Sequence, residues 1–282
     1  MGFIADLFGY LLNYLYDWVQ NYGLAIILFS FILQVILLPL SIKQQKSMKK
    51  SAKIQQEMQK LQVKYKNNPE LLNQEVMGLY KKEKVSPFSG CLSSIIQLII
   101  FLSVFYLVSQ PLTHMRKVDP ALLEKYSKEI TESGQSSSYP EIKIIEQKAD
   151  EDENVYINMD FLGLDLSKVP MQNLSDIRVL IIPILYVITK EQRQKEKEEK
   201  ERRKQKNALT DGSKKEEEGM DEQLQSMQQM TNSMNYMMPI MSIAIAVIAP
   251  LGLSLYWLVK NILQFCERLV LNKVMKKENE EA

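Results

Sequence analysis

The chain is poor in the residues that most reaction chemistry uses. Its two cysteines, Cys91 and Cys266, stand far apart and form no CxxC pair, which excludes a disulfide framework and a cysteine-based metal cluster. A single histidine, His114, leaves no histidine metal site and no general base with partners nearby in sequence. No GxGxxG, Walker A, HExxH or GxSxG pattern occurs. An enzyme, a metal and a cofactor are therefore not expected. Net charge of one sign is missing too, with 35 basic side chains against 34 acidic ones, so the balance does not point to DNA. No Lys or Arg occurs before Lys43. Residues 1–21 thus make a poor secretory signal, and they hold no cysteine for a lipid anchor.

What is present is segregation. The hydrophobic 46% of the chain sits in blocks, with the charges between them. A soluble amphipathic helix would interleave the two at a period near 3.6. Blocks joined by wet loops are the pattern of bilayer spans, and the fold class expected is an all-α membrane protein with five spans. The first span is 22–42, about 30 Å long at 1.5 Å per residue, with Gln34 inside it and Pro39 near its end. The second is 90–112 and contains Gln97. The third, 177–189, is short. The fourth (230–248) and fifth (251–271) come from one long apolar stretch broken at Ala249-Pro250-Leu251-Gly252, where a tight turn is expected. Residues 1–21 predict an amphipathic helix lying in the membrane interface, with Phe3, Leu7, Leu11, Leu15 and Trp18 on one face.

The loops orient the bundle. Residues 43–84 carry eleven lysines against four glutamates, which places them in the cytoplasm by the positive-inside rule. The N-terminus then lies outside. Residues 113–176 are an extracellular loop with the acidic run Asp150-Glu151-Asp152-Glu153, and 190–226 form a cytoplasmic charged loop. The tail, 272–282, ends in the cytoplasm. Within 43–84 the apolar spacing predicts a helical hairpin whose turn is Asn67-Asn68-Pro69-Glu70, with Asn68 as N-cap. It is either a plain connector or a mobile docking arm, and its basic charge suits anionic lipid or an RNA surface such as a ribosome. Residues 113–160 hold few large apolar side chains and are expected to pack poorly.

Three spans carry an amide at one depth: Gln34, Gln97 and Asn261. Ser30 lies one turn from Gln34, and Tyr256 and Trp257 lie about a turn from Asn261. These amides either bond across helices and tie the bundle together, or line a wet notch where a polar segment could enter the membrane without losing its hydrogen bonds. The spans are expected to carry no ionisable side chain at mid-depth, against a proton relay or ion path.

The stretches NYGLAIILFSFILQVILLPLSIKQQKSM, KYKNNPELLNQEVMGLYKKEKVSPFSGCL, FLGLDLSK, MNYMMPIM and PLGLSLYWLVKNILQ together resemble the YidC/Oxa/Alb family of membrane protein insertases, most closely its clostridial type. The resemblance implies a five-span bundle with a hydrophilic groove open to the cytosol. It implies nascent membrane proteins as clients, delivered by ribosomes, with or without the Sec translocon, to a monomer in the bacterial plasma membrane. It also implies a client-groove role for Ser30, Gln34, Gln97, Tyr256, Trp257 and Asn261. The family usually carries a positive residue five positions before the Pro-Leu pair, where this chain has Gln34. A neutral amide hydrates but supplies no Coulombic pull. Prolines common in the family are replaced by Ser93 and Leu98. A membrane scaffold or a small-solute transporter remains the alternative function.

Overall fold

The computed structural model describes the backbone of residues 2–65, 68–82, 89–135, 137–192 and 244–280, and most of it is helix. The chain divides into two units: Met1–Ile36 with Ile99–Lys195 and Met238–Ala282, and Leu37–Leu98 with Glu196–Met237.

Helix α1 runs Gly2–Val19 and α2 runs Tyr22–Lys64. The break between them is local chemistry. Gln20 takes a left-handed φ of 50°, and its N–H donates back to the Tyr16 carbonyl at 2.7 Å. Asn21 then caps α2, its Oδ1 accepting from the Leu24 N–H at 3.1 Å. The stretch Tyr22–Ser47 is long and apolar enough to cross a membrane, and only 28% of its most apolar window is buried. A soluble core helix of that hydropathy would be buried throughout. Leu24, Phe31, Val35 and Ile36 stay exposed and present a continuous apolar surface that a bilayer would cover.

Of the stripe expected on α1, Phe3, Leu7 and Trp18 stay exposed and Leu15 turns inward. Ala5, Gly9, Leu12, Leu15 and Tyr16 point inward, while Phe3, Leu7, Tyr10, Tyr14 and Trp18 are all more than half exposed. Four-residue steps advance about 40° each around a helix, so Leu15 has drifted about 120° from Phe3. The outward stripe follows three- and four-residue steps instead and stays on one side. The inward face docks on a π-helical turn, Leu112–Arg116. Contact there is backbone-close: a Cβ on Gly9 would lie 1.9 Å from the His114 carbonyl oxygen. Phe8 meets Phe29 of α2 edge-on, centroids 5.9 Å apart.

α3 spans Pro69–Lys82 and α4 spans Ser89–Ser109. Asn68 caps α3 as expected, accepting from the Leu71 N–H at 3.2 Å. The first arm of the expected hairpin is not a separate helix but the continuation of α2 past Pro39. Residues 83–88 lie outside the described residues.

The segment 113–160 corrects the expectation of poor packing. It folds into α5 (Pro120–Glu132) and α6 (Pro140–Lys148), and it buries Ile130, Ile142, Ile144, Ile145, Val155, Ile157 and Met159. Average composition hid this, because the isoleucines of the segment are concentrated at positions that turn inward. Each helix starts with proline at its first position, and Asp119 caps α5 through the Ala121 N–H at 3.0 Å. A two-residue hairpin follows, β1 (Asp160–Phe161) against β2 (Leu164–Asp165). Its turn residues Leu162 and Gly163 have φ of 54° and 76°, the pairing that suits strand twist in a tight hairpin.

Helix α7 covers 181–192, preceded by a 3-10 turn, Ile177–Leu180. The third span was expected to begin at 177. Pro183 fits here because it sits in the first turn, where its missing N–H has no intrahelical partner to lose. Of the expected fourth span, 244–248 is helical and 230–243 lies outside the described residues, as does most of the 190–226 loop. Pro250 precedes the last helix, α8, Leu251–Glu280, which runs through most of the expected tail.

Candidate functional site

The N-terminal ends of α2 and α8 meet beneath the FLGLDLSK segment. The Tyr22 N–H donates to the Asn158 carbonyl at 3.0 Å. The N–H groups of Leu251 and Gly252 donate to the carbonyls of Lys168 and Leu166, both at 2.9 Å. Helix starts leave such donors unsatisfied, and here one loop satisfies two helices at once. The Asn21 side chain adds a bond to the Asp160 carbonyl at 2.6 Å, and the Tyr16 hydroxyl accepts from the Asn158 N–H at 2.7 Å. Glycines allow the approach. A Cβ on Gly23 would sit 2.4 Å from the Phe161 ring, and one on Gly252 would touch the Tyr22 ring at 3.5 Å.

From that clamp α2 and α8 run in the same direction. They meet again well along their length, where the Gln34 Nε2 donates to the Glu267 carboxylate. Gln34 therefore faces Glu267 and not Asn261, which lies six residues, about 9 Å along the axis, nearer the start of α8. Ser30 is buried one turn back from Gln34 and donates to its own helix, Oγ to the Ile26 carbonyl, 2.7 Å. The other oxygen of Glu267, Oε1, is buried without a hydrogen-bond partner among the described residues.

Two stripes run down α8. Tyr256, Lys260, Gln264 and Glu267 follow three- and four-residue spacing, and the Gln34 contact turns that stripe toward α2. Trp257 and Asn261 lie about 100° round the helix. Trp257 is 8% exposed, stacked on Phe101 with centroids 6.3 Å apart and tilted against Tyr186 at 6.2 Å. It packs an aromatic cluster, whereas Tyr256 is fully buried on the α2 side with its hydroxyl unpartnered among the described residues. Asn261 is half-buried and engaged. Gln97 is exposed on α4 and belongs to the second unit.

Lys260 corrects the expectation that the spans lack an ionisable side chain at mid-depth. It stands nine residues into α8, half-buried, its Nζ 5.6 Å from the centroid of the Tyr256 ring. Both Lys260 and Glu267 escaped the sequence reading. The signal was available: a charge inside LYWLVKNILQ, and a second one seven residues on, hence on the same face.

The sequence profile of the 60Kd inner membrane protein family matches residues 14–279. The chain is 40% identical over 102 residues to a membrane protein insertase YidC of Fusobacterium nucleatum, a match covering 36% of this chain and 50% of that one. It is 42% identical over 105 residues to the YidC of Caldanaerobacter subterraneus, covering 37% and 51%. Over 104 residues it is 42% identical to the YidC of a Geobacter species, covering 37% and 19%. The matched stretch thus spans about half of the first two relatives and about a fifth of the third. A helix fit to span a membrane, the FLGLDLSK clamp and a profile match over nearly the whole length agree, and the chain belongs to the 60Kd inner membrane protein family, the YidC/Oxa family.

Proposed function

We propose that this chain is a membrane protein insertase and chaperone that works without covalent catalysis. The observation that carries the reading is polar chemistry part-buried between two apolar helices: Gln34 bonded to Glu267, with Lys260 and Tyr256 on the same stripe. An apolar client helix could lie along α2 and α8, whose outward faces are apolar, while that stripe shelters a polar flank. Carrying a polar group into hydrocarbon unaided costs several kcal/mol, about 2 to 7 per unbonded amide or hydroxyl. A prepared set of partners lowers that cost. The clamp over the N-terminal ends supports a bundle closed at that end and open at the other. In the topology we propose, with five spans and residues 43–84 forming a cytoplasmic hairpin, the open end faces the cytosol. Clients are nascent membrane proteins supplied by ribosomes, with or without the Sec translocon. The exposed stripe of α1 rests in the lipid interface, with Trp18 and the tyrosines Tyr10 and Tyr14 at headgroup depth.

The test is a depletion-rescue assay in which this chain is the sole source of the activity. Gln34→Leu combined with Tyr256→Phe should lower insertion of a small single-span client about tenfold. Normal insertion by that double variant, made at normal abundance, would overturn the hydrated-groove mechanism. If instead these polar groups prove dispensable while loss of residues 43–84 abolishes activity, the chain acts as a scaffold.

A further inference from the structure

We propose that the polar cavity between α6 and the 3-10 turn Pro170–Gln172 is a binding site for a neutral pyranose sugar. The inference goes beyond the insertase reading and does not depend on it. The cavity holds about 170 Å³, room for about six waters at about 30 Å³ each or for one sugar ring in their place. Its walls come from separate stretches of one unit: Ser137 and Tyr139 before α6, Lys143 and Glu146 on it, Gln172 and Asn173 at the turn.

Charge decides the class of ligand. Glu146 accepts from the Lys143 ammonium at 2.8 Å and from the Lys168 ammonium at 2.6 Å, one on each carboxylate oxygen. The Asp165 carboxylate stands 3.8 Å from Lys168. Two ammonium groups thus face two carboxylates, and the cluster is neutral. An anion entering here would have to take a lysine from Glu146 and lie beside that carboxylate. A divalent cation would have to displace both lysines from it. An apolar ligand would desolvate polar walls, in which Ile142 and Val169 are the only aliphatic side chains. What remains is a neutral molecule dense in hydroxyls.

The hydrogen-bonding capacity of the walls fits such a molecule. Asn173 spends its Nδ2 on the Val169 carbonyl at 3.0 Å, which leaves Oδ1 to accept. Ser137 Oγ accepts from the Tyr139 N–H at 3.1 Å, which leaves its O–H to donate. Among the described residues the Tyr139 hydroxyl and the Gln172 side-chain amide have no hydrogen-bond partner. Burial pushes the Tyr139 pKa above the ordinary tyrosine value, so its hydroxyl keeps its proton and can donate. Sugar hydroxyls donate and accept at once, which is the mixture these four groups call for.

The frame is fixed before a ligand arrives. Ser167 and Val169 line the cavity, while the carbonyls of Leu166 and Lys168 accept the first N–H groups of α8 at 2.9 Å. Ser167 is buried, and its hydroxyl donates to Asp165 at 2.6 Å. A wall already ordered by the fold adds little entropy cost to binding. In the topology proposed above the cavity faces the cell exterior, where a sugar could come from a free glycan or from the headgroup of a glycolipid.

The experiment uses the full chain in phosphatidylcholine nanodiscs, with methyl glucoside and methyl N-acetylglucosaminide as probes read by saturation-transfer NMR. The wild type should bind at least one of them, and amide exchange at Gln172 and Asn173 should slow about tenfold at about ten times the Kd. Tyr139→Phe and Gln172→Ala each remove one bond and should weaken binding about fivefold with unchanged unfolding midpoints. Competition by glucosyldiacylglycerol in the nanodisc supports the site and assigns it to a lipid headgroup. Binding without that competition supports it and assigns it to a free glycan. Binding of neither probe, binding that both variants retain in full, or unchanged exchange at Gln172 and Asn173 leaves a cavity that holds water, and overturns the proposal. Tighter binding of inorganic phosphate than of either sugar makes the cavity an anion site and overturns it too.

Discussion

The two ends of the α2 and α8 pair are built on opposite plans. At the end where both helices begin, backbone donors meet backbone acceptors and the glycines at 9 and 23 let main chains and rings close up. Further along, the polar groups are side chains, and some of their capacity is unspent: a carboxylate oxygen of Glu267, the hydroxyl of Tyr256 and the ammonium of Lys260. A backbone hydrogen bond cannot be exchanged for a ligand without local unfolding, while a side-chain group with spare capacity can. The first end is thus organised for permanence and the second for exchange. The comparison teaches that closure and spare polar capacity lie on the same two helices, the polar groups beginning one turn from the clamp at Tyr256 and ending at Glu267, fifteen residues beyond Gly252.

The sharpest way to break the closed end is at Gly9. Any side chain there drives a Cβ into the His114 carbonyl, which is backbone and cannot swing away. Gly9→Val should destabilise the protein by about 3 kcal/mol or more and release α1. Limited proteolysis in detergent would read this as new cleavage between residues 2 and 19, and thermal unfolding as a lower midpoint. Gly78, where an added Cβ meets nothing within 4 Å, is the matched control. Further along, Gln34→Leu removes one partner of a part-buried carboxylate and should cost about 1 kcal/mol. Glu267→Gln in the same background should recover part of that loss, because a neutral amide tolerates the site better than an unpaired charge. Midpoints of the two variants, measured side by side, decide it.

Much of this division was legible in the sequence. Block hydropathy located the span that begins at Tyr22, Asn68 announced the α3 cap, and the Ala249-Pro250 break marked the start of α8. Ser30, Gln34 and Tyr256 stand out in the sequence as polar side chains within apolar runs. The partners of those residues were not legible, because Gln34 and Glu267 lie 233 positions apart and nothing local couples them. Lys260 was missed for a different reason. The run around it is so apolar that its average hydropathy outweighs one charge, and only position on the helix reveals where that charge points. The packing of segment 113–160 was hidden likewise: its composition suits a solvated loop, but its isoleucines converge.

A pH comparison sharpens the contrast inside the closed end. Glu141 is 8% exposed, and its carboxylate accepts from the Thr113 N–H at 3.0 Å and hydroxyl at 2.5 Å. Burial pushes its pKa above the ordinary glutamate value, and the Thr113 bonds offset only part of that shift. A carboxyl whose folded value is raised contributes stability that is fully present below its unfolded value, near pH 4.3, and is lost as pH rises through the folded value. Glu141→Gln removes the ionisation; its amide oxygen can accept from the Thr113 N–H while its amide N–H donates to the Thr113 hydroxyl. It should change stability at neutral pH by about 1 kcal/mol or less and flatten the fall between pH 4 and pH 7. Unfolding midpoints across that range are the measurement, and an unchanged slope would mean that another group carries it.

Asp6 is the mirror case and the smallest effect. Its carboxylate is drawn below the ordinary aspartate value, first by the Lys117 ammonium and then by His114, whose Nδ1 lies 2.9 Å away. A lowered carboxyl contributes stability that is present above the unfolded value, near pH 3.9, and is lost as pH falls through the folded one. Asp6 is more than a third exposed, so solvent screens the pair and its contribution is about 0.5 kcal/mol. Asp6→Asn should therefore leave folding intact and loosen only the first turns of α1, seen as faster amide exchange there at pH 7. Added salt should shrink the difference between variant and wild type, because the interaction removed is a screened one. In Glu141→Gln salt should change little, because that carboxyl is shielded by packing. If salt acts equally on both variants, the two groups do not differ in the way their burial indicates.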